Sequence, residues 1–251
     1  MPAQDTIYAR RQLHKLYTEP LSVLSSNIIS VGGLAGNDTQ SVPLYFGARL
    51  NEIRIGMDQR TADHFLFIGA PVDDRSNVDA VVRCTGLASP MRGHIASNAN
   101  RLNQTIQVQP GANKLWVTDQ QTGCSVLILK WPGGFFSMIH LQPNGDSEFN
   151  QLGDFINRSD LGLAVQKNAW LRPELTEVTA RSGNGNNPEA YILVQSLHIA
   201  RAGACQVIGV NVNGTFEFYL QKVVVAGSVF NLSAQRMQWT PWRDYIPYLT
   251  Y

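Results

Sequence analysis

Cys124 and His140 are the two residues of this sequence whose types and spacing could perform nucleophilic chemistry. Cys124 follows a glycine and begins an apolar stretch, Ser125–Lys130. The Pro-Gly-Gly segment at 132–134 predicts a tight turn, after which Phe135–His140 would return antiparallel to the first stretch. His140 would then end near Cys124, and a thiolate next to an imidazolium is the arrangement of an activated cysteine nucleophile.

A nucleophile and its base also need a group that orients the imidazole and a site that binds the oxyanion. Thr118 lies six residues before Cys124, and its hydroxyl could accept the other ring N–H of His140. The alternatives for that role are a backbone carbonyl or one of three side chains, those of Gln120, Gln121 and Thr122. Backbone N–H groups around Gly123, including that of Cys124, could form the oxyanion hole, because glycine lets the backbone approach a ligand closely.

The order of these residues resembles the Cys-His glutamine deamidase toxin superfamily. That superfamily includes the lethal factor of Burkholderia, the catalytic domains of the cytotoxic necrotizing factors and the bacterial chemoreceptor deamidases. Its pattern begins with a hydrophobic pair and Thr, which corresponds to Leu115–Thr118, and continues with Ser/Thr-Gly-Cys, which corresponds to Thr122–Cys124. A glycine turn and a run into His follow, and they correspond to Pro132–Gly134 and Phe135–His140. Thr122 stands where serine is more usual, and the interval from Cys124 to His140 is longer than in the lethal-factor subgroup.

The resemblance implies a role for each matching residue. Cys124 would be the nucleophile, His140 the general base and acid, and Thr118 the residue that orients His140. The oxyanion hole and substrate-binding positions would be Gly123, Thr122 and Gln121.

The resemblance also implies a function. The chain would be a bacterial toxin or effector that deamidates a glutamine of a host protein, of the translation-initiation helicase or small GTPase class, through a cysteine thioester. It would be made in the bacterial cytoplasm, secreted or injected, and act in the host cytosol. No cofactor and no metal are implied.

Two other functions remain open from the residues alone. A cysteine peptidase or a transglutaminase could use the same Cys-His pair. A non-enzymatic β-sandwich binding module would instead bury Cys124 as a small core residue. Cys84 and Cys205 are expected in the core, although in an oxidising compartment they could form a disulfide and leave Cys124 reduced.

Most of the remaining sequence predicts strands. Apolar residues at helical spacing predict helices over Ala3–Tyr17 and Glu148–Ile156, and Glu19-Pro20 should end the first. Strands are expected at the hairpin Ser125–Lys130 with Phe135–His140 and at further short stretches: Leu44–Phe46, Glu52–Ile55, Phe65–Ile68, Val78–Cys84, Thr105–Gln109, Lys114–Thr118, Tyr191–Ile199, Cys205–Val212, Thr215–Val225 and Phe230–Leu232. Asn213-Gly214 is a strong signal for a hairpin turn.

Other segments are expected to be irregular or extended: Ser22–Gly36 as a strand or loop, Gly86–Asn103 as a long loop, and Trp239–Tyr251 as an extended arm. We therefore expect an α+β fold, a β-rich sandwich of two sheets with peripheral helices. Residues 1–251 are expected to form a single catalytic domain, since no linker separates two folding units.

Composition limits the classes of protein further. The chain has 251 residues, 44% hydrophobic, with 20 Lys and Arg against 19 Asp and Glu. A net charge of +1 provides no field for nucleic acid, and three cysteines do not make a disulfide scaffold. No apolar window is long enough for a membrane span, and no secretory signal is visible in residues 1–16, so any export is expected to occur without a cleaved signal.

Overall fold

A computed structural model describes residues 2–32, 34, 39–55, 60–69, 80–89, 93–94, 107–122, 124–142, 188–196, 203–226 and 229–242. Its helices are α1, Pro2–Thr18, and α2, Pro20–Ser26. Its strands follow in chain order as β1 Ile28–Gly32, β2 Gln40–Ile55, β3 Arg60–Gly69, β4 Ala80–Ser89, β5 Gly93–His94, β6 Leu115–Thr118, β7 Ser125–Trp131, β8 Phe135–Gln142, β9 Ala190–Gln195, β10 Gly203–Val212, β11 Thr215–Ala226, β12 Val229–Arg236 and β13 Thr240–Pro241. The fold is α+β and dominated by sheet, as the sequence predicts.

The strands of the described residues form two sheets. The larger has the order β1-β3-β2-β12-β11-β10-β6-β4, and the smaller has the order β13-β9-β7-β8-β5. β2 is long enough to pair with β4 along its first half and, at Ile55, with Phe230 of β12. The larger sheet therefore closes on itself through β2, β4, β6, β10, β11 and β12.

Both helices pack against one face of the larger sheet. In α1 the buried residues Ala9, Leu13 and Leu16 recur at intervals of three and four, which places them on one side of the helix. They join Leu115 and Val117 of β6 in a single buried cluster. Pro20 begins α2, a position where proline is tolerated because the first amides of a helix have no intrahelical acceptor.

The second core lies between the two sheets. Trp116 and Phe216 of the larger sheet meet Phe136 of the smaller sheet, with ring centroids 5.2 Å apart for Trp116–Phe216 and 5.9 Å for Phe136–Phe216. Val126, Ile128 and Met138 of the smaller sheet pack into this interlayer core. The intervening residues of β7, Leu127 and Leu129, are buried on the opposite face of the smaller sheet. The two sheets therefore form a sandwich, and alternate residues of β7 face its interior.

Two turns have the backbone that their sequences predict. Asn213 (φ 52°) and Gly214 (φ 85°) join β10 to β11 with positive φ at both positions, as a type I′ hairpin turn requires. Gly133 (φ 79°) and Gly134 (φ 75°) join β7 to β8, and residues other than glycine adopt such angles only with strain. The β7–β8 hairpin is thus confirmed.

Several expectations differ from the structure. Ser22–Gly36 was expected to be strand or loop, but its first residues belong to α2 because Pro20 starts a new helix directly after α1. Leu44–Phe46 and Glu52–Ile55 are parts of one strand, β2, rather than two. The beginning of the expected loop Gly86–Asn103 is strand instead, since β4 continues to Ser89 and pairs with β6.

Some expectations lie outside the described residues. The helix Glu148–Ile156 lies wholly outside them, and the arm Trp239–Tyr251 is described only as far as residue 242. That residues 1–251 form one domain stays a prediction. Among the described residues, no helix has the length and hydropathy needed to cross a membrane.

Candidate active site

The β7–β8 hairpin determines which way His140 faces. Phe136 and Met138 of β8 pack into the interlayer core, while Ile139 is buried on the opposite face of the smaller sheet. Because side chains alternate along a strand, His140 is in phase with Phe136 and Met138 and faces the larger sheet. The imidazole is completely buried there.

Thr118 reaches the same layer from the larger sheet. In β6, Leu115 and Val117 pack with the helices, whereas Trp116 packs into the interlayer core. Thr118 follows the same alternation as Trp116, and its hydroxyl lies 2.7 Å from Nδ1 of His140. The structure therefore brings these two predicted site residues together across the gap between the sheets.

A second hydrogen bond of Thr118 identifies the tautomer of His140. The Thr118 hydroxyl also lies 2.6 Å from the backbone carbonyl of Ser89, which can only accept. A hydroxyl has one proton, so Thr118 donates that proton to Ser89 and accepts the N–H of His140 Nδ1. In the neutral ring the lone pair is then on Nε2, the nitrogen that remains available as a base.

Ser89 is held in place from several directions. It is the register partner of Thr118 in the parallel pair of β4 and β6. Its hydroxyl accepts the indole N–H of Trp116 at 2.8 Å and shares a 2.7 Å hydrogen bond with Thr39. Sequence reasoning did not find Ser89, because the pairing of β4 with β6 leaves no local pattern in the sequence.

Cys124 lies one residue before β7, and its backbone continues the sheet. The backbone N–H and the hydroxyl of Ser196 both donate to the Cys124 carbonyl, at 3.1 and 2.8 Å. Val126 lies directly opposite His140 in the β7–β8 register, so these two side chains share a face. Continued alternation from β7 would place Cys124, two residues before Val126, on that face as well, as a diagonal neighbour of His140.

Burial is the main influence on the protonation of the Cys124 thiol and the His140 imidazole. The pKa of the Cys124 thiol is raised to about 12, first by burial and second by the carboxylate of Asp119. The pKa of His140 is lowered to about 3 by burial. The resting site therefore favours a neutral thiol and a neutral imidazole, rather than the thiolate–imidazolium pair that we expected. Proton transfer would then accompany the attack on a substrate instead of preceding it.

The three other predicted positions directly precede Cys124 in the sequence. Gln121 exchanges two backbone hydrogen bonds with Cys205, of 2.9 and 2.8 Å, and its side chain is fully buried. Thr122 is exposed. Gly123 lies outside the described residues. Gln120 is exposed, and its side-chain oxygen accepts from Ser30 at 3.4 Å.

Cys205 contacts the predicted site through its backbone, in the two hydrogen bonds with Gln121. Cys205 is a buried free thiol in β10, so it forms no disulfide with Cys84. Burial raises its pKa to about 12, and Lys222 opposes the shift. Among the described residues no group of three or more His, Cys, Asp or Glu side chains is placed to hold a metal ion.

Comparison with known proteins found little. No family model matches the chain, and no curated protein matches it. Among solved structures, the C-terminal domain of CNFy from Yersinia pseudotuberculosis is similar with a TM-score of 0.41 and 10% identity, over 93% of this chain and 99% of that chain. This similarity is too distant to transfer a function.

Proposed function

We propose that this chain is a protein-glutamine deamidase that uses Cys124 as its nucleophile and His140 as its general base and acid. The observation that carries the proposal is the hydrogen bond from His140 Nδ1 to Thr118, 2.7 Å long. Because Thr118 donates its proton to Ser89, the basic nitrogen of His140 is Nε2. This nitrogen would accept the proton of Cys124, whose side chain we expect on the same sheet face.

The first half of the reaction forms the thioester. The Cys124 sulfur attacks the carboxamide carbon of a substrate glutamine as its proton moves to Nε2 of His140. The carbonyl oxygen becomes an oxyanion, which backbone N–H groups at Gly123 and Cys124 would bind. His140 then gives its proton to the nitrogen, the C–N bond breaks, and ammonia leaves.

The second half returns the enzyme to its starting state. His140 removes a proton from water, whose oxygen attacks the thioester carbon. The C–S bond breaks and the sulfur recovers the proton from His140. The sum is glutamine plus water giving glutamate plus ammonium, and no cofactor is needed.

Burial supports a mechanism in which charge forms only briefly. Since both resting groups are neutral, an ion pair would develop only while substrate is bound and water is excluded. Thr118 would stabilise the imidazolium of His140, because its oxygen already accepts the Nδ1 proton.

The biological setting is proposed from the resemblance alone. The chain would be a bacterial toxin or effector, exported or injected, whose substrate is a host protein of the helicase or GTPase class in the cytosol. Replacing a neutral glutamine by a carboxylate in such an active site would remove a group that orients water.

Mass spectrometry of treated host-cell extract tests the activity. We expect glutamine-to-glutamate conversion in a host protein and release of ammonia, both abolished in Cys124→Ser and His140→Asn. Cys205→Ala is the matched control, because Cys205 is also buried with a raised pKa, and it should keep the activity. Full activity in Cys124→Ser would overturn the proposal.

The same experiment separates the other functions. Cleaved host proteins would indicate a peptidase, and incorporation of a primary amine at the glutamine in place of its conversion to glutamate would indicate a transglutaminase. Absence of all three products in extracts, together with tight capture of one host protein, would favour a binding module.

A further inference from the structure

Three glutamines among the described residues have side chains that are fully or almost fully buried, and two of them are fully bonded. Gln221 donates to the carbonyls of Leu24 and Asn27, at 2.6 and 2.8 Å, and accepts from the Ile29 amide at 2.9 Å. Gln206 donates to two carbonyls, at 2.9 and 3.2 Å, and accepts from the Val31 amide at 3.3 Å. These two carboxamides connect β1 and the end of α2 to β10 and β11.

Gln121 is the exception. Its side chain is 0% exposed, yet within the described part of the chain neither its carboxamide oxygen nor its nitrogen has a hydrogen-bond partner. Burying an amide without partners is unfavourable, and native chains rarely retain such a group without a function for it.

The register of Gln121 indicates which layer it faces. It exchanges both backbone hydrogen bonds with Cys205, and directly opposed residues share a face. The Cys205 side chain packs in the interlayer core, so Gln121 faces the layer that holds Thr118 and His140. Gln121 also precedes Cys124 by only three residues.

We propose that the Gln121 carboxamide recognises the carboxamide of the substrate by a reciprocal pair of hydrogen bonds. Its N–H would donate to the substrate carbonyl oxygen, and its oxygen would accept a substrate N–H. This inference rests on the proposed deamidase function and specifies which amides the site accepts.

A reciprocal pair selects side-chain amides over peptide bonds. A primary carboxamide presents its oxygen and one N–H on the same edge, where Gln121 can bind both. A trans peptide bond directs its C=O and N–H to opposite sides, so one carboxamide can bind only one of them. The product carboxylate has no N–H for the Gln121 oxygen, which favours its release.

The pairing also leaves the reaction path open. Both hydrogen bonds lie in the plane of the substrate amide, whereas the sulfur must approach its carbon from above that plane. When the carbonyl becomes an oxyanion, the hydrogen bond from the Gln121 N–H strengthens, because charge-assisted hydrogen bonds are stronger than neutral ones.

Alkylation of Cys124 tests this recognition without knowledge of the host target. Iodoacetamide presents a primary carboxamide beside the carbon that sulfur attacks, and iodoacetate presents a carboxylate of similar size. Rates at Cys124, measured by peptide mapping, should favour iodoacetamide over iodoacetate more strongly than for free N-acetylcysteine. In Gln121→Met and Gln121→Leu this preference should fall about tenfold, because only iodoacetamide has an N–H that the Gln121 oxygen can accept.

Thermal melting separates recognition from a structural role. Gln121→Met should melt at the same temperature as the wild type or higher, because it removes an unbonded buried amide. Gln221→Met should melt lower, because it removes three hydrogen bonds. Gln120→Met, at an exposed neighbouring glutamine, should change neither the melting temperature nor the alkylation preference.

Two results would overturn the inference. One is an unchanged alkylation preference in Gln121→Met and Gln121→Leu, and the other is a fall in melting temperature as large as that of Gln221→Met. Loss of deamidase function has a different signature, since wild-type protein would then release no ammonia from host extract whatever its alkylation preference.

Discussion

Thr118 and His140 come from different sheets and meet in a hydrogen bond 2.7 Å long between Oγ1 and Nδ1. Both side chains are completely buried, so this bond also links the two halves of the sandwich. A change at Thr118 should therefore affect both the orientation of the imidazole and the stability of the fold.

Thr118→Val should lower deamidation about 100-fold and stability by about 1–3 kcal/mol, because the buried Nδ1 proton loses its acceptor. Thr118→Ser keeps the hydroxyl and should retain most of the activity. The measurements are the initial rate of ammonia release and urea denaturation. Equal losses in the Val and Ser variants would contradict this explanation, because Ser keeps the hydroxyl and only Val removes it.

The low pKa of His140 predicts a pH dependence of stability. Folding lowers this pKa from 6.5 to about 3, so between those values the unfolded chain binds one more proton than the folded chain. The free energy of unfolding should then decrease as pH falls from 6.5 towards 3, by up to about 1.4 kcal/mol per pH unit.

Denaturation curves at several pH values between 4 and 7 check the contribution of His140. His140→Asn cannot titrate and should show a shallower slope than the wild type. His14→Asn, at an exposed position of α1, is the control and should keep the wild-type slope. If His140→Asn retained the full slope, other groups would be responsible for the acid sensitivity.

Asp119 should suppress the reactivity of Cys124. Its carboxylate raises the thiol pKa, although burial is the larger cause. Asp119→Asn should therefore lower that pKa and increase the alkylation rate of Cys124 by iodoacetamide several-fold near pH 9, where more thiolate would be present. Glu189→Gln removes an exposed carboxylate that pairs with Lys130, and it should leave the rate unchanged. A slower rate in Asp119→Asn would contradict the electrostatic explanation.

Local sequence signals predicted the parts of the fold that depend on neighbouring residues. The apolar spacing of α1, the Asn213-Gly214 turn and the glycine turn after β7 all involve residues within a few positions of each other. The β7–β8 hairpin follows from the last of these, and with it the face that His140 occupies. The contact between Thr118 and His140 joins the two sheets, so the turn alone does not predict it. Thr118 was a candidate because a nucleophile–base pair needs a group that orients the imidazole, and the catalytic role of the two residues stays a prediction.

Contacts between distant segments could not be predicted in this way. The parallel pairing that brings Ser89 beside Thr118 joins two strands with a third, β5, between them in the sequence. The hydrogen bonds from Ser196 to Cys124 span 72 positions. Such pairings depend on the packing of the whole sandwich, and no periodicity or turn residue in the sequence encodes them.

Ser196 provides the last prediction, since it binds the backbone of Cys124 from the position directly after β9. Ser196→Ala removes the hydroxyl that donates to the Cys124 carbonyl but leaves the backbone donor in place. We expect a loss of about 1 kcal/mol in stability and a few-fold decrease in the rate of ammonia release, because the backbone of Cys124 would be held less firmly relative to His140. Ser196→Thr keeps a hydroxyl and should restore most of both. If Ser196→Ala had the wild-type rate and stability, the backbone hydrogen bond alone would be sufficient to position Cys124.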